Sequence, residues 1–328
     1  MNLREKIGKM FVVGFEGHKV GPELESLIRD YFVGGVILFT RNIKSEKQLK
    51  QLTGDIRTLA DRPIIISVDC EGGRVFRLPI EAGFEQWPSL SELKREYEEK
   101  QDLRVVYNAG KTLGEYLKHF GFNLNFAPVL DVNTNIKNPV IGDRAFSNDA
   151  NIVARLGSEM ARGIQDAGIA ACGKHFPGHG DTYLDSHTAL PKVSHTLGRL
   201  DKIELLPFQA AIETGIKSIM TAHVIYEGVD PDNPATLSPT IINNILRRKL
   251  KFDGVVFTDD MNMAAISANS NIPDSCLKAF RSGCDVALIC RGFKAEIEAI
   301  ERTVEAVGSG KLSEEVINSA FRRVSSLI

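Results

Sequence analysis

Short, almost continuously apolar runs recur along the chain, and each is bounded by glycine, proline or polar residues. The predicted strands are 11–15, 34–39, 63–69, 122–131, 169–175, 218–225, 253–259 and 284–290. Helical patterns, with apolar residues recurring at three and four, lie at 21–32, 45–60, 101–120, 148–167, 198–214, 239–250, 275–282, 293–307 and 313–327. Strands without polar alternation are typical of a parallel sheet covered on both faces. Eight strand–helix repeats predict an α/β fold, a (β/α)8 TIM barrel.

The main alternative to a barrel is a doubly wound open sheet. That fold usually has a glycine-rich phosphate loop after its first strand. The stretch FVVGFEGHKVGPE contains glycines but not the G-x-G-x-x-G spacing. No linker, repeat or low-complexity segment interrupts the chain, so residues 1–328 are expected to form one catalytic domain.

Composition narrows the setting in which the chain works. The formal net charge is −2, which gives no broad attraction to nucleic acid or to an anionic membrane. Residues 1–15 include Glu5 and only a very short apolar run, unlike a signal peptide or a membrane span. The five cysteines are scattered and form no CxxC pair, which favours buried thiols in the reducing cytoplasm. We expect a cytoplasmic monomer that acts on a small molecule without a cofactor.

Polar residues stand where several predicted strands end. They are Asp69, Asp131, Lys174, His175, His223 and Asp259. A barrel core cannot hold these groups, but the rim at the carboxyl ends of its strands is where barrel enzymes build active sites. Ordinary alternatives exist, because Asp131 could cap a turn and His223 could be a core histidine bonded to backbone. Asp259 is predicted to point into the barrel mouth and Asp260 to cap the segment that follows.

The segment KHFPGHGDTYLDSHTALP, residues 174–191, is unusually rich in titratable groups. Together with Asp259 it suits glycoside hydrolysis, which needs a carboxylate at the anomeric carbon and an acid for the leaving oxygen. Asp259 is the candidate nucleophile and His187 the candidate acid. Asp185 stands two residues before His187, so in an extended loop both side chains share a face. Asp185 could then fix the imidazole tautomer and support the imidazolium.

The sequence of this segment leaves two other functions open. A metal-dependent hydrolase could use as ligands His175, His179, Asp181, Asp185 and His187. Against a metal, Pro177 and Gly178 indicate a loop rather than a helix that stacks histidines, and Lys174 would place a fixed charge beside the ion. A binding protein on an inactive barrel is disfavoured while candidates for both nucleophile and acid exist.

Several longer motifs carry a family resemblance that covers most of the chain. They are VDCEGGRVFRL (68–78), NFAPVLDV (125–132), IGDRAFS (141–147), KHFPGHGDTYLDSH (174–187), PATLSP (234–239) and GVVFTDDMNM (254–263). With these motifs the chain resembles glycoside hydrolase family 3, and within it the single-domain bacterial β-N-acetylglucosaminidases of peptidoglycan recycling. One departure is Cys70, which stands where the family usually has glutamine.

The resemblance implies a role for each motif residue. Asp259 matches the nucleophile, His187 the acid/base and Asp185 its partner. Five residues match positions that hold the sugar in the −1 subsite: Asp69, Arg77, Arg144, Lys174 and His175. Such side chains can accept hydrogen bonds from sugar hydroxyls or donate to them.

The resemblance also implies the reaction. The expected enzyme is a retaining exo-β-N-acetylglucosaminidase that removes terminal N-acetylglucosamine from peptidoglycan fragments, GlcNAc-1,6-anhydro-MurNAc with or without peptide. Phosphorolysis in place of hydrolysis, and β-glucosidase activity, are the alternatives within the family. The larger β-glucosidases of the family take their catalytic acid from a second domain, whereas in this chain a barrel loop is expected to supply the acid.

Overall fold

The predicted strands form a closed parallel barrel in a computed structural model that describes residues 1–183, 190–267 and 270–328. The described strands are β1 (Phe11–Val13), β2 (Gly35–Leu38), β3 (Ile65–Val68), β4 (Cys70–Gly72), β5 (Val75–Phe76), β6 (Leu124–Asn125), β7 (Ala170–Phe176), β8 (Lys192–Thr196), β9 (Ser218–Thr221), β10 (Ile225–Gly228), β11 (Asp230–Pro234), β12 (Val255–Asp260) and β13 (Val286–Ile289). Around the barrel the order is β1, β2, β3, β6, β7, β9, β12 and β13, which pairs with β1 again. The TIM-barrel prediction is therefore confirmed.

Helices connect the barrel strands and cover the outside of the sheet. They are α1 (Leu3–Gly8), α2 (Pro22–Arg29), α3 (Glu46–Ala60), α4 (Leu90–Lys100), α5 (Arg104–His119), α6 (Ala150–Asp166), α7 (Leu197–Lys202), α8 (Leu205–Glu213), a π-helix (Thr240–Lys249), α9 (Ala264–Ser267), α10 (Ile272–Ser282), α11 (Phe293–Gly308) and α12 (Glu314–Ser325). Polar caps mark where several begin. The Ser45 side chain, for example, accepts a hydrogen bond from the backbone N–H of Gln48 at the start of α3.

Each barrel strand buries both of its faces, as its apolar run predicts. In β1, Val12 belongs to the cluster inside the barrel, while Phe11 and Val13 pack in the outer layer. Inside, Phe126 and Phe257 meet edge to face with ring centroids 5.4 Å apart. The barrel is thus a packed core with two layers, and charged side chains lie at the carboxyl ends of its strands.

The strand predicted at 218–225 ends at Thr221 in β9, and the elements predicted at 122–131 and 198–214 are interrupted. The strand predicted at 122–131 is regular only in β6, because Pro128 has no N–H to extend the ladder and only a single bridge joins Val129 to Lys174 beyond it. The helix predicted at 198–214 is two helices, α7 and α8. Pro207 lies in the first turn of α8, where a missing N–H costs no helical hydrogen bond.

The sequence did not predict two small sheets, and both lie on the side of the strands' carboxyl ends. Strands β4 and β5 form an antiparallel hairpin directly after β3. Strands β8, β10 and β11 form a second sheet, whose Tyr226 hydroxyl donates a hydrogen bond to the carbonyl of Gly178 at 2.5 Å. The hairpin and this sheet therefore build up the rim around the barrel mouth.

Two expectations from composition concern the cysteines and the membrane. All five cysteines are buried and free, as expected. Across the described ranges, no helix combines the length and the apolar character that crossing a membrane requires.

Candidate active site

A cavity of about 220 Å³ opens at the carboxyl ends of the barrel strands. Its lining includes all the predicted site residues that the structure describes, namely Asp69, Arg77, Arg144, Lys174, His175 and Asp259. Asp185 and His187, the predicted partner and acid, lie outside the described residues. Strand ends that are far apart in sequence thus meet in one polar cavity.

Alternation along the strands aims the principal side chains. In β7, Cys172 belongs to the cluster inside the barrel, and Lys174, two residues later, points the same way above it. In β12, Phe257 belongs to the same cluster and Asp259 follows it in the same manner. The barrel core therefore forms the floor of the cavity, and the next inward position of β7 and of β12 carries a charge.

Lys174 is held between two carboxylates. Its Nζ lies 2.6 Å from Asp69 Oδ1 and 2.6 Å from Glu71 Oε1, and the side chain is 3% exposed. Burial acts to lower the pKa of Lys174, but the two carboxylates outweigh it and the pKa lies above its ordinary value. Lys174 is therefore a fixed cation at the floor of the cavity.

Glu71 also binds Arg144. The sequence analysis predicted Arg144 as a site residue but did not predict Glu71. Arg144 donates from Nε to Glu71 Oε2 and from Nη2 to Oε1, both at 2.8 Å. Burial acts to raise the pKa of Glu71, but Arg144 and Lys174 hold it well below its usual range. The spacing could have predicted Glu71 as a site residue, because it stands two residues after Asp69 and so falls on the same side of an extended chain.

The hairpin that carries Glu71 turns at two glycines. Gly72 and Gly73 have φ of 103° and 57°, where glycine is favoured. A Cβ on Gly72 would lie 2.1 Å from the carbonyl oxygen of Pro88, and one on Gly73 would lie 2.7 Å from Ser89 Cβ. The EGG sequence is therefore required by this tight turn, which places Glu71 over the cavity floor.

Asp131 organises the start of the histidine-rich segment. Its Oδ2 lies 2.7 Å from His175 Nδ1, and its Oδ1 accepts the backbone N–H groups of His175 at 3.2 Å and His179 at 2.6 Å. Burial acts to raise the pKa of Asp131, but His175 and His179 outweigh it and lower the pKa. Asp131 thus caps a turn, which the sequence analysis gave as the alternative to a role in the site. It also orients the His175 ring.

Asp259 and Asp260 divide their roles as predicted. Burial acts to raise the pKa of Asp259, but His223, His175, the N–H of Asp260 and Lys174 together lower it, so this cavity carboxyl is ionised. Asp260 Oδ1 instead accepts the N–H groups of Asn262 at 3.0 Å and Cys290 at 3.1 Å, which caps the next turn.

The remaining candidates are His223 and Arg77. His223 is the core histidine that the sequence allowed, because it is fully buried and its Nε2 lies 3.0 Å from the carbonyl oxygen of Asp260. Arg77 is more than a surface arginine, because it lines the cavity and its guanidinium lies 5.8 Å from the Phe39 ring centroid. Its Nε is buried and has no acceptor among the described residues.

Of the residues in the metal hypothesis, the structure describes His175, His179 and Asp181. Burial lowers the pKa of His179 to about 4, so this ring is neutral at pH 7, and its Nδ1 lies 2.9 Å from Thr182 Oγ1. In the part of the chain that the structure describes, no three His, Cys, Asp or Glu side chains are grouped to hold a metal ion.

The sequence was compared with protein-family models and with curated proteins. Residues 2–327 match the glycosyl hydrolase family 3 N-terminal domain. The chain is 35% identical over 329 residues to beta-hexosaminidase A of Pseudoalteromonas piscicida, an alignment that covers 93% of this chain. This chain spans only 55% of the length of that relative.

Two solved structures are similar over nearly the whole chain. A glycoside hydrolase family 3 β-N-acetylglucosaminidase from Paenibacillus sp. str. FPU-7 has a TM-score of 0.96 and 41% identity, covering 100% of this chain and 62% of its own. NagZ from Neisseria gonorrhoeae in complex with N-trifluoroacetyl-D-glucosamine has a TM-score of 0.80 and 31% identity, covering 97% of both chains.

Replacing Asp131 with Asn is expected to lower stability and to flatten its dependence on acid pH. The folded-state pKa of Asp131 lies below its ordinary value of 3.8, so its contribution is present above pH 3.8 and is lost as the pH falls through the folded-state pKa. The variant should lose about 1–3 kcal/mol at neutral pH, because the amide has one acceptor oxygen for donors that now bind two carboxylate oxygens. Urea unfolding from about pH 3 to pH 7 measures both effects.

Asp285→Asn is the control, because burial raises the pKa of Asp285 above 3.8. A raised carboxyl pKa makes stability fall as the pH rises through that window, so removing the group should steepen the profile rather than flatten it. An Asp131→Asn profile parallel to that of the wild type would contradict the role of Asp131.

Proposed function

Because the chain belongs to glycosyl hydrolase family 3, we propose that it removes terminal β-linked N-acetylglucosamine from glycosides with retention of configuration. The observation that carries the proposal is an ionised carboxylate, Asp259, in a cavity whose other charges suit a sugar ring. A retaining glycosidase needs such a carboxylate as its nucleophile and a separate group as its acid.

Asp259 attacks the anomeric carbon in the proposed first step. His187 protonates the departing oxygen, and a covalent glycosyl–Asp259 ester forms. In the second step His187 removes a proton from water, the water attacks the anomeric carbon from the side the leaving group vacated, and Asp259 is released. Asp185 holds the His187 ring and stabilises its charged form. A single barrel domain, residues 1–328, then supplies every group.

The donors and acceptors of the cavity hold the sugar. Asp69 accepts from hydroxyl groups, while Lys174 and Arg144 donate to them from positions fixed by buried ion pairs. Two further cavity side chains contact the sugar in this proposal, His175, which Asp131 orients, and Arg77. A site fixed in this way loses little freedom when the substrate binds, which favours catalysis.

The choice of sugar draws support from the relatives. One is named a beta-hexosaminidase, one solved structure is a β-N-acetylglucosaminidase and another holds an N-acylated glucosamine. We extend the substrate to the GlcNAc-1,6-anhydro-MurNAc fragments of peptidoglycan, hydrolysed in the cytoplasm by a monomer. The motif resemblance to the single-domain bacterial β-N-acetylglucosaminidases of peptidoglycan recycling supports this substrate.

Turnover of p-nitrophenyl β-N-acetylglucosaminide, compared with the corresponding β-glucoside, tests the proposal. The N-acetylated substrate should have the much higher kcat/KM, and proton NMR should show the β anomer as the first-formed sugar. A preference for the glucoside would contradict the sugar assignment, and an initial α anomer would contradict a nucleophilic Asp259.

Two additions to this assay separate the alternatives. Inorganic phosphate should leave the product as free N-acetylglucosamine, whereas a phosphorylase would release the sugar 1-phosphate. Treatment with a chelator should leave the rate unchanged, whereas a metal-dependent hydrolase would lose it and recover it with added zinc.

His187→Ala is expected to slow substrates according to their leaving group. A good leaving group departs without a proton, so kcat/KM should fall far more on a natural disaccharide, by roughly 10²–10⁴-fold, than on the nitrophenyl glycoside. Asp185→Ala should show the same pattern more mildly. His175→Ala is the matched control, because a sugar contact should weaken both substrates alike. Equal losses for His187→Ala on both substrates would remove it from the role of acid.

A further inference from the structure

We infer that Glu71 is a positioning residue of the sugar site, whose buried carboxylate fixes the Arg144 guanidinium and the Lys174 ammonium against each other. The inference rests on the proposed function of the same cavity and adds a residue to it. Glu71 is 1% exposed, so it acts through its two partners rather than through open access to substrate.

The hydrogen bonds of Glu71 are fully committed to these partners. Oε2 accepts from Arg144 Nε at 2.8 Å, while Oε1 is shared by Arg144 Nη2 at 2.8 Å and Lys174 Nζ at 2.6 Å. The paired N–H groups of a guanidinium match a carboxylate, which fixes the orientation of the Arg144 plane as well as its place. One carboxylate therefore sets the geometry of both cations.

The cations keep donors that Glu71 does not use. The ammonium of Lys174 has three N–H groups, and the protein partners Asp69 and Glu71 occupy two of them. Arg144 gives one further N–H to the carbonyl of Val140 at 3.1 Å. Arg144 Nη2 also lies 3.5 Å from His175 Nε2. Because both cations line the cavity, the N–H groups that have no partner among the described residues are the donors we assign to sugar hydroxyls.

Charge explains why a neutral side chain cannot replace Glu71. Arg144 and Lys174 are both cations in a buried site, and the charge of Arg144 acts to lower the pKa of Lys174. A carboxylate that bridges them compensates both charges at once. An amide of the same size has one acceptor oxygen, and its N–H₂ group would face two cations that have only donors to offer.

The same observations exclude Glu71 as the proton donor. Both oxygens accept hydrogen bonds from cations, and the pKa of Glu71 lies well below its usual range, so the group carries no proton near neutral pH. Its removal should therefore affect sugar binding and alignment without regard to the leaving group.

The chain offers a matched control at the opposite end of the barrel. Asp285 is 2% exposed and bridges Arg247 and Arg323, just as Glu71 bridges two cations. It lies directly before β13, at the end of the barrel away from the cavity. Glu71→Gln and Asp285→Asn each remove one buried bridging carboxylate, but only the first touches the site.

Glu71→Gln should lower kcat/KM on p-nitrophenyl β-N-acetylglucosaminide by about 10²-fold, the cost of displacing a positioning group by roughly 1 Å. The loss should be equal on a natural disaccharide. Asp285→Asn should keep the kinetic constants of the wild type, even where it lowers the melting temperature. Glu71→Asp keeps the charge and should recover part of the rate, and it serves as the second variant if Glu71→Gln fails to fold.

A triple variant, compared with its double-variant background, separates positioning from general support of the fold. In an Arg144→Ala, Lys174→Ala background, adding Glu71→Gln should change kcat/KM by less than about threefold, because its partners are already gone. Full multiplication of the losses would overturn the inference, as would a folded Glu71→Gln single variant with the activity of the wild type.

A crystal structure of Glu71→Gln tests the inference apart from the proposed reaction. The guanidinium of Arg144 and Nζ of Lys174 should be displaced from their wild-type places. If the wild type fails to cleave the N-acetylglucosaminide, the proposed function falls while this displacement still decides the role of Glu71. Unmoved cations in the variant would overturn that role directly.

Discussion

Parallel closure of the barrel is the constraint on which the site depends. Because every barrel strand runs in the same direction, the carboxyl ends of all the strands meet at one rim, however far apart they lie in sequence. Lys174 and Asp259 follow inward-facing apolar positions of β7 and β12, and Asp69 directly follows β3, so the three converge above the same packed core. Their desolvation on that floor is what makes their pairing strong and their geometry fixed.

Buried charge at this rim is costly unless every group is compensated. Here Lys174 lies between Asp69 and Glu71, Arg144 binds Glu71 through two hydrogen bonds, and His175 is bonded to Asp131. The network satisfies the charged groups before any ligand arrives. A substrate then meets donors and acceptors that are already in place, which is the physical basis of preorganised catalysis.

The barrel itself could be predicted from sequence because its signal is repeated and local. Eight apolar runs bounded by turn residues each gave a strand, and the polar residue ending a run located the rim. The small sheets gave no such signal. The β4–β5 hairpin consists of very short strands around Gly72 and Gly73, and its conformation depends on packing against Pro88 and Ser89, which no local pattern encodes.

Site residues that end a barrel strand could be predicted from the sequence, whereas a site residue in the hairpin after β3 was not predicted. Asp131 could be assigned two roles from sequence, and it fills both, because one of its oxygens caps backbone N–H groups and the other binds a ring. Glu71 was missed because its role comes from partners 73 and 103 positions away in the chain, Arg144 and Lys174. Asp185 and His187 lie outside the described residues and stay predictions.

The most direct test of the account is to trap the covalent intermediate. A fluorinated N-acetylglucosaminyl substrate with a good leaving group slows both steps by destabilising the oxocarbenium-like transition states, and its leaving group lets the first step proceed faster than the second. Mass spectrometry of the digested protein should then find one sugar residue attached to the peptide that contains Asp259, and Asp259→Asn should carry none. Attachment to a different residue, or turnover of this substrate by Asp259→Asn at the rate of the wild type, would contradict the account.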